Sequence, residues 1–301
     1  MSSDLEYILP MLKGKILYNE PMSKHTWLGI GGPAEIMFSP LDLDDLKTFL
    51  RNKPKETDLY ILGGGSNLLI RDGGIKGIVL KLDAPYFKQI IKENDGITCF
   101  AGLQNTLLKN FLISNELGGL EFLCSIPGTI GGAVKTNAGC FGKTLSDVLI
   151  YATIIDFEGN IKEVSNTDFH FSYRYAKLPA NWIIISLKLK TYTSDKNTIQ
   201  NTLQEQFAYR KAHQPQGSKT AGSTFKNPPQ KAAWQLIKEA NADTLNIGGA
   251  KMSEKHCNFM INDGSATAQD CEKLGDSIIQ KVKEKTGITL EWEIQKMGQY
   301  K

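Results

Sequence analysis

The sequence predicts a mixed α+β fold, and three features predict it. In the first half, short β-rich runs bounded by glycine alternate with segments of helical periodicity. Two longer strand candidates then precede an abrupt polar stretch and a long helix. No internal repeat occurs at the periods of solenoids or propellers. The chain has 301 residues, enough for two or three domains at roughly 100–200 residues each.

Taken in order, residues 35–38 read as a short strand closed by Pro40. Residues 44–52 read as a helix, because Leu46, Phe49 and Leu50 recur at i, i+3 and i+4. Residues 60–62 and 78–82 are β-rich and bounded by glycines, and residues 106–115 form a helical segment that stops before Gly118 and Gly119. Residues 148–157 and 182–190 are the longer strands. The polar run Thr193-Ser194-Asp195-Lys196-Asn197 marks a domain boundary and opens a helix through Arg210. Helices at 231–240 and 268–285 flank a strand at 259–261, and residues 288–294 are expected as the last strand.

Composition excludes several classes. Thirty-five Lys and Arg against 32 Asp and Glu leave a net charge of +3, interleaved along the chain. A nucleic-acid surface needs clustered basic residues, so no such partner is expected. The five cysteines (Cys99, Cys124, Cys140, Cys257, Cys271) include no C-x-x-C pair and read as small buried thiols. The four histidines lie far apart without an H-E-x-x-H, so no metal site is expected. The first residues carry acids and no basic flank, so no secretory leader is read there. Apolar runs such as 182–185 fall far short of the ~20 residues of a membrane span, so a cytoplasmic protein is expected.

The 28 glycines are not spread evenly. They gather at Gly29-Ile30-Gly31-Gly32, at Gly63-Gly64-Gly65-Ser66-Asn67 with Gly73-Gly74, and at Gly128-Thr129-Ile130-Gly131-Gly132 running on to Asn137-Ala138-Gly139. Such runs let backbone N–H groups approach a ligand without an intervening Cβ, and arrays of these groups bind anions. Three clusters in one half of a chain suggest phosphate recognition, against tight turns between strands as the alternative. Two familiar nucleotide motifs fail. Residues 29–34 spell G-x-G-x-x-A but lead into a strand, whereas a Rossmann fingerprint must open a helix. Gly142-Lys143-Thr144 has Asn137 where a Walker A loop needs its first glycine.

The segments Leu62–Leu69 and Ile126–Ala133 with Asn137-Ala138-Gly139 resemble the FAD-binding domain of the vanillyl-alcohol-oxidase-like (PCMH-type) flavoproteins. Further segments are similar to the UDP-N-acetylenolpyruvoylglucosamine reductase family: Ser23-Lys24-His25-Thr26, Ser172-Tyr173-Arg174, residues 221–228, residues 248–256 and Leu290-Glu291-Trp292-Glu293-Ile294. The ordered set spans about residues 20 to 298. The stretch between Arg174 and Trp182 is short, as in the subtype without a tyrosine-bearing insertion.

The resemblance implies a two-lobed FAD-binding domain and a C-terminal α+β substrate domain. Its divisions would be residues 1–84 with 287–301, residues 85–195, and residues 196–286. It implies non-covalent FAD, NADPH as co-substrate, and reduction of UDP-N-acetylglucosamine enolpyruvate to UDP-N-acetylmuramate in cell-wall precursor synthesis, by a monomer without nucleic-acid or membrane partners. Arg174 matches the family's arginine, whose guanidinium fork suits a planar carboxylate or enolate. Ser223 matches the serine that protonates the α-carbon, and Glu293 the carboxylate that orients the intermediate. Glu291 shares the two-residue period with Glu293, but the family pattern selects Glu293. Cofactor contacts are expected from Gly63, Gly64, Gly65, Ser66, Asn67, Gly128, Thr129, Gly131, Gly132, Asn137 and Gly139. Substrate contacts are expected from Tyr173, Lys226, Asn227 and His256. The chain departs from the pattern at Leu28, Ser125, Lys135, Thr136 and Gln295. Two alternatives stand beside this reading: an FAD-dependent oxidase of the same superfamily, and a non-catalytic flavin- or nucleotide-sugar-binding regulator. The oxidase is disfavoured by the absence of a histidine in the second and third glycine clusters, the regulator by the intact Arg174, Ser223 and Glu293.

Overall fold

The computed structural model describes residues 7–301; the acidic start in which a leader was sought lies outside them. The fold mixes helices with mainly antiparallel strands, as expected for α+β. Contacts divide the chain into two units. The first comprises the chain up to Leu17 with Met37–Gly64 and Gly77–Ala208; the second comprises Tyr18–Ile36, Gly65–Lys76 and Tyr209–Lys301. The division falls inside the helix Lys196–His213, rather than at the polar run before it.

The first unit is organised by a five-stranded antiparallel sheet in the order Ile161–Ser165, Leu149–Asp156, Trp182–Leu189, Gly96–Phe100, Ile90–Glu93. The central strand Trp182–Leu189 is buried from Ile183 onward, which is why it reads as a near-continuous aliphatic run. Lys188 interrupts that run. Its side chain is only 3% exposed, and its ammonium is paired with Glu93 and with Asp95. A buried charge is tolerable only when paired in this way. The same unit holds the helix Leu43–Asn52, whose N-cap Asp42 accepts from the Asp45 amide at 2.9 Å. Buried Asp45 in turn accepts from the amides of Lys13, Gly14 and Leu41. Rejection of the Rossmann reading holds: the first glycine cluster runs into the strand Pro33–Ser39, not a helix.

The second unit has an antiparallel sheet ordered Lys219–Ser223, Phe259–Asn262, Ala250–Met252, Asn246–Ile247. The helices Ala233–Glu239 and Ala268–Thr286 pack together through Leu236, Ile237, Leu274 and Ile278. Ala268–Thr286 starts on a capping box of Thr267 and Asp270, and Asp72 accepts from the amides of Ala268 and Gln269. It ends where Gly287 turns left-handed at φ +73°. Its Gly275 is flat against Trp292; a Cβ there would lie 2.0 Å from the indole.

The expected last strand at 288–294 is not one. That stretch buries Leu290 and Ile294 in the core, and makes one isolated bridge, between Trp292 and Phe225. Its alternation reflects burial of every other side chain, without a neighbouring strand to complete a ladder. Regular pairing begins only at Gln295–Met297, parallel to Leu68–Ile70.

Four of the five cysteines are buried, as read from the sequence. Burial pushes the thiols of Cys124 and Cys271 up to about 12 and that of Cys257 up to about 11. Cys140 is half-buried.

Candidate active site

Ser223 ends its strand at a β-bulge. Lys219 and Thr220 face Asn262 and Ile261, but Ser223 faces Phe259, so the serine's strand carries one extra residue. Bulges of this kind re-aim a side chain beside a functional site. Gly222 absorbs the distortion at φ +81°, a conformation that an L side chain adopts at a cost.

Past the bulge, Thr224 and Phe225 are held by bonds of another kind. The Thr224 amide donates to the Asn258 carbonyl at 2.7 Å, and buried Thr224 Oγ1 accepts from the Met260 amide. The peptide of Phe225 is gripped on both sides by the Asn258 carboxamide, at 3.0 and 2.8 Å. The Thr224 carbonyl accepts from the Glu293 amide at 2.8 Å. Ser223 and Glu293 therefore stand on two segments joined at the Thr224 carbonyl and again by the Lys226 amide, which donates to the Glu291 carbonyl at 2.9 Å. Asn67 closes the arrangement: its Nδ2 donates to the Glu293 carbonyl at 3.1 Å, and its own carbonyl accepts from the Gln295 amide. Glu293 is half-buried, whereas Glu291 is exposed and pairs with Lys226 at 3.4 Å. The two glutamates that sequence period left equivalent are thus separated by burial.

Arg174 lies in the first unit, at the second central position of a tight turn closed by mutual hydrogen bonds between Ser172 and Tyr175. Its φ is +54°. A long side chain held in the left-handed region marks backbone strain, of the kind that concentrates at functional sites. The guanidinium sits 5.2 Å from the centre of the exposed Tyr173 ring and donates to the Gly139 carbonyl at 3.3 Å. Buried Asn137 buttresses the turn. Its Nδ2 donates to the Ser172 carbonyl and to Ser146 Oγ, while its Oδ1 accepts from the Ser146 amide.

The glycine clusters divide by what each presses against. A Cβ on Gly64 would fall 2.7 Å from the Gly128 Cα, and one on Gly63 would fall 3.0 Å from Thr129 Oγ1. The second and third clusters are therefore backbone against backbone here. Among the described residues, the amides of Gly64, Gly128 and Thr129 have no backbone acceptor. Backbone amides without a backbone acceptor on two closely packed glycine loops are of the kind that bind anionic groups. By contrast, Gly131 donates to the Ala101 carbonyl, and Gly132 donates to its helix cap, Thr129 Oγ1. Gly65 abuts the His25 carbonyl, and the Trp27 amide donates to the Gly65 carbonyl, both within the second unit. The first cluster also packs on protein: Gly32 leaves no room for a Cβ against the Asp72 carbonyl.

The remaining candidates lie in the second unit. Asn227 Oδ1 accepts from the Ala233 amide at the start of a helix. His256 is half-buried, and its Nδ1 accepts from the Asn258 amide at 3.3 Å. Burial first, and then nearby His213, hold its imidazole below the usual histidine value. The accepting Nδ1 leaves the proton of the neutral ring on Nε2.

A family model described as the C-terminal domain of UDP-N-acetylenolpyruvoylglucosamine reductase matches residues 214–297, and one described as an FAD binding domain matches residues 34–165. A UDP-N-acetylenolpyruvoylglucosamine reductase of Bradyrhizobium sp. (strain ORS 278) is 42% identical over 298 residues, 99% of this chain and 97% of that protein. The chain belongs to the UDP-N-acetylenolpyruvoylglucosamine reductase family. The Rickettsia conorii reductase is 43% identical over 293 residues, covering 97% of this chain and 99% of its own. The crystal structure of the Thermus caldophilus reductase superposes with a TM-score of 0.80 at 32% identity, over 95% of this chain and 99% of that one.

Within this family the chain's departures have local reasons. Leu28 is fully buried in the core of the second unit, and its carbonyl accepts from Asn262. Ser125 is buried and donates to the Phe122 carbonyl. Lys135 is exposed in the last turn of the helix Ile130–Lys135, where a cation suits the carbonyl end, and Thr136 is that helix's C-cap. Gln295 opens the strand that pairs with Leu68–Ile70. Sequence reasoning passed over Asn258, the clamp on Phe225. A polar residue next to the start of an apolar strand was its one visible signal.

Proposed function

We propose that this reductase-family chain converts UDP-N-acetylglucosamine enolpyruvate to UDP-N-acetylmuramate with NADPH, as a cytoplasmic monomer in peptidoglycan precursor synthesis. The observation that carries the reading is the joint placement of Ser223 and Glu293 on the Thr224 peptide in a chain of this family. FAD, when bound, would supply the hydride chemistry, taking hydride from NADPH and giving it to the β-carbon of the enolpyruvyl ether. Gly63, Gly64, Gly128 and Thr129 would hold it through backbone donors and the absence of side chains, with Gly65, Ser66, Asn67, Gly131, Gly132, Asn137 and Gly139 shaping these loops.

The protein's part is to handle charge and one proton. Hydride addition at the β-carbon leaves negative charge shared by the α-carbon and its carboxylate. Arg174 meets that charge with a planar fork that stays protonated. Asn137 holds its turn and the Gly139 carbonyl holds its guanidinium, so the fork is oriented before substrate arrives, which removes reorganisation from the reaction step. Ser223 Oγ delivers the proton to the α-carbon. A hydroxyl is a weak acid and serves only if held within reach of a strongly basic carbon. The bulge before it and the clamps after it fix the backbone that carries Ser223, which supports this role. Glu293 orients the intermediate, while Tyr173, Lys226, Asn227 and His256 contact the nucleotide sugar.

The test is NADPH consumption by purified, yellow protein with and without the enolpyruvyl sugar. Oxidation that requires the sugar supports the reading. Equal NADPH oxidation with oxygen alone, or flavin left on the precipitated chain after denaturation, supports a superfamily oxidase instead.

A further inference from the structure

We propose that Asn258 is the positioning residue for Ser223 and Glu293. The proposal rests on the reading that Ser223 is the proton donor. It begins from the bulge. Beyond Thr220 the pairing with Phe259–Asn262 is interrupted and resumes, shifted by one residue, only at Ser223 opposite Phe259, so the regular ladder is broken directly before the serine. Asn258 supplies what the ladder lacks. Its side chain is 97% buried by the residue's exposure of 3%, and Phe225 is fully buried. Its Oδ1 accepts from the Phe225 amide and its Nδ2 donates to the Phe225 carbonyl, so one carboxamide imitates a neighbouring strand's peptide group. Its own carbonyl takes the Thr224 amide at 2.7 Å. Three bonds to two consecutive residues, Thr224 and Phe225, fix the backbone directly after Ser223.

Glu293 depends on the same peptide. Its amide donates to the Thr224 carbonyl, between the two sites that Asn258 holds. The position of both functional side chains is thus set by a residue that is neither a donor nor an acceptor in the reaction. The residue type is specific. Aspartate keeps the acceptor but sets a carboxylate oxygen against the Phe225 carbonyl, leucine keeps the shape and loses both bonds, and alanine leaves Phe225's buried amide and carbonyl unpaired. The Asn258 amide donates to His256 Nδ1, which ties this histidine to the same scaffold.

The experiment uses FAD-loaded protein carrying Asn258→Ala, with Asn258→Asp as a second variant should the first fail to fold. Stopped-flow absorbance follows flavin reduction by NADPH and then reoxidation by UDP-N-acetylglucosamine enolpyruvate. The expected result is reduction within about twofold of wild type, and reoxidation at saturating sugar slower by on the order of 10²-fold, the scale of a misplaced reacting group. The KM for the sugar should stay within about threefold, since the Asn258 side chain is buried and spent on the Phe225 backbone. Hydrogen–deuterium exchange supplies a readout apart from turnover: the Thr224, Phe225 and Glu293 amides should exchange faster while those of the helix Ala268–Thr286 keep their protection. Reoxidation at the wild-type rate, equal loss in both half-reactions, or unchanged exchange at Glu293 each overturns the proposal. If wild-type protein is not reoxidised by the sugar, the functional reading fails, and exchange at Glu293 alone still decides whether Asn258 holds the pair.

Discussion

Arg174 Nη2 donates to the Gly139 carbonyl oxygen at 3.3 Å. The charged group that sequence assigns to the substrate's carboxylate is thereby tied to the end of the third glycine cluster. It also sits on a backbone conformation that a glycine would adopt without strain. Replacing Arg174 therefore separates stability from function. Arg174→Gly should be more stable than Arg174→Ala by about 1–2 kcal/mol, the cost of a Cβ in the left-handed region, read from urea midpoints. Both variants should lose at least on the order of 10²-fold in kcat/KM. Arg174→Lys keeps the charge but not the fork, and should fall between them and wild type.

Ser223→Ala leaves the backbone clamps intact, since none of them uses the hydroxyl. Flavin reduction by NADPH should proceed at the wild-type rate. Reoxidation by the enolpyruvyl sugar should fall by roughly 10²–10⁴-fold, the usual worth of a positioned acid. Normal turnover by this variant would remove Ser223 from the mechanism.

Gly64 and Gly132 make different predictions, although both belong to glycine clusters. Gly64→Ala must push Gly128 aside, since its Cβ would lie 2.7 Å from that Cα. It should cost about 1–3 kcal/mol of stability through overpacking and abolish the bound flavin's absorbance. Gly132→Ala meets only Thr129 Oγ1, at 3.3 Å, within a helix. Its apoprotein should be as stable as wild type or up to about 1 kcal/mol more so, from helix propensity. Fluorescence titration should show weaker FAD binding if this face meets the cofactor.

His256 gives a pH dependence of definite sign. Its folded value lies below the ordinary 6.5 because burial disfavours the charged ring. Between the two values the unfolded chain binds more protons than the folded one, so stability rises with pH there. The contribution is fully present above about pH 6.5 and is lost as pH falls through the folded value. His256→Gln should flatten the fall in urea midpoint on the acid side of pH 6.5 relative to wild type. An unchanged slope would show that other groups carry it.

Much of the fold was legible because its signals are local. The helix Ala268–Thr286 was read at residues 268–285, and the strand Trp182–Leu189 at 182–190, where only Ser186 and Lys188 break the apolar run. The failed strand at 288–294 shows the limit. Alternation reports which side chains are buried, but not whether a partner strand exists, and here half-buried Trp292 packs on a helix glycine instead. Arg174, Ser223 and Glu293, the side chains proposed for the reaction, were singled out from short motifs. Asn258 was not, because its role consists of bonds to residues 33 positions away.

The sequence by itself determined the family, the glycine-rich loops and the three side chains proposed for the reaction, since each is a matter of residue type at a fixed local spacing. Only the tertiary structure decided which glycines face each other, as Gly64 and Gly128 do, and which simply pack on protein, as Gly32 does. It also decided that Glu293 is half-buried while Glu291 is exposed. The physical reason is common to these cases. Close approach, burial and hydrogen bonding over long sequence separation depend on where the chain returns, and no local pattern encodes the distance between Thr224 and Glu293.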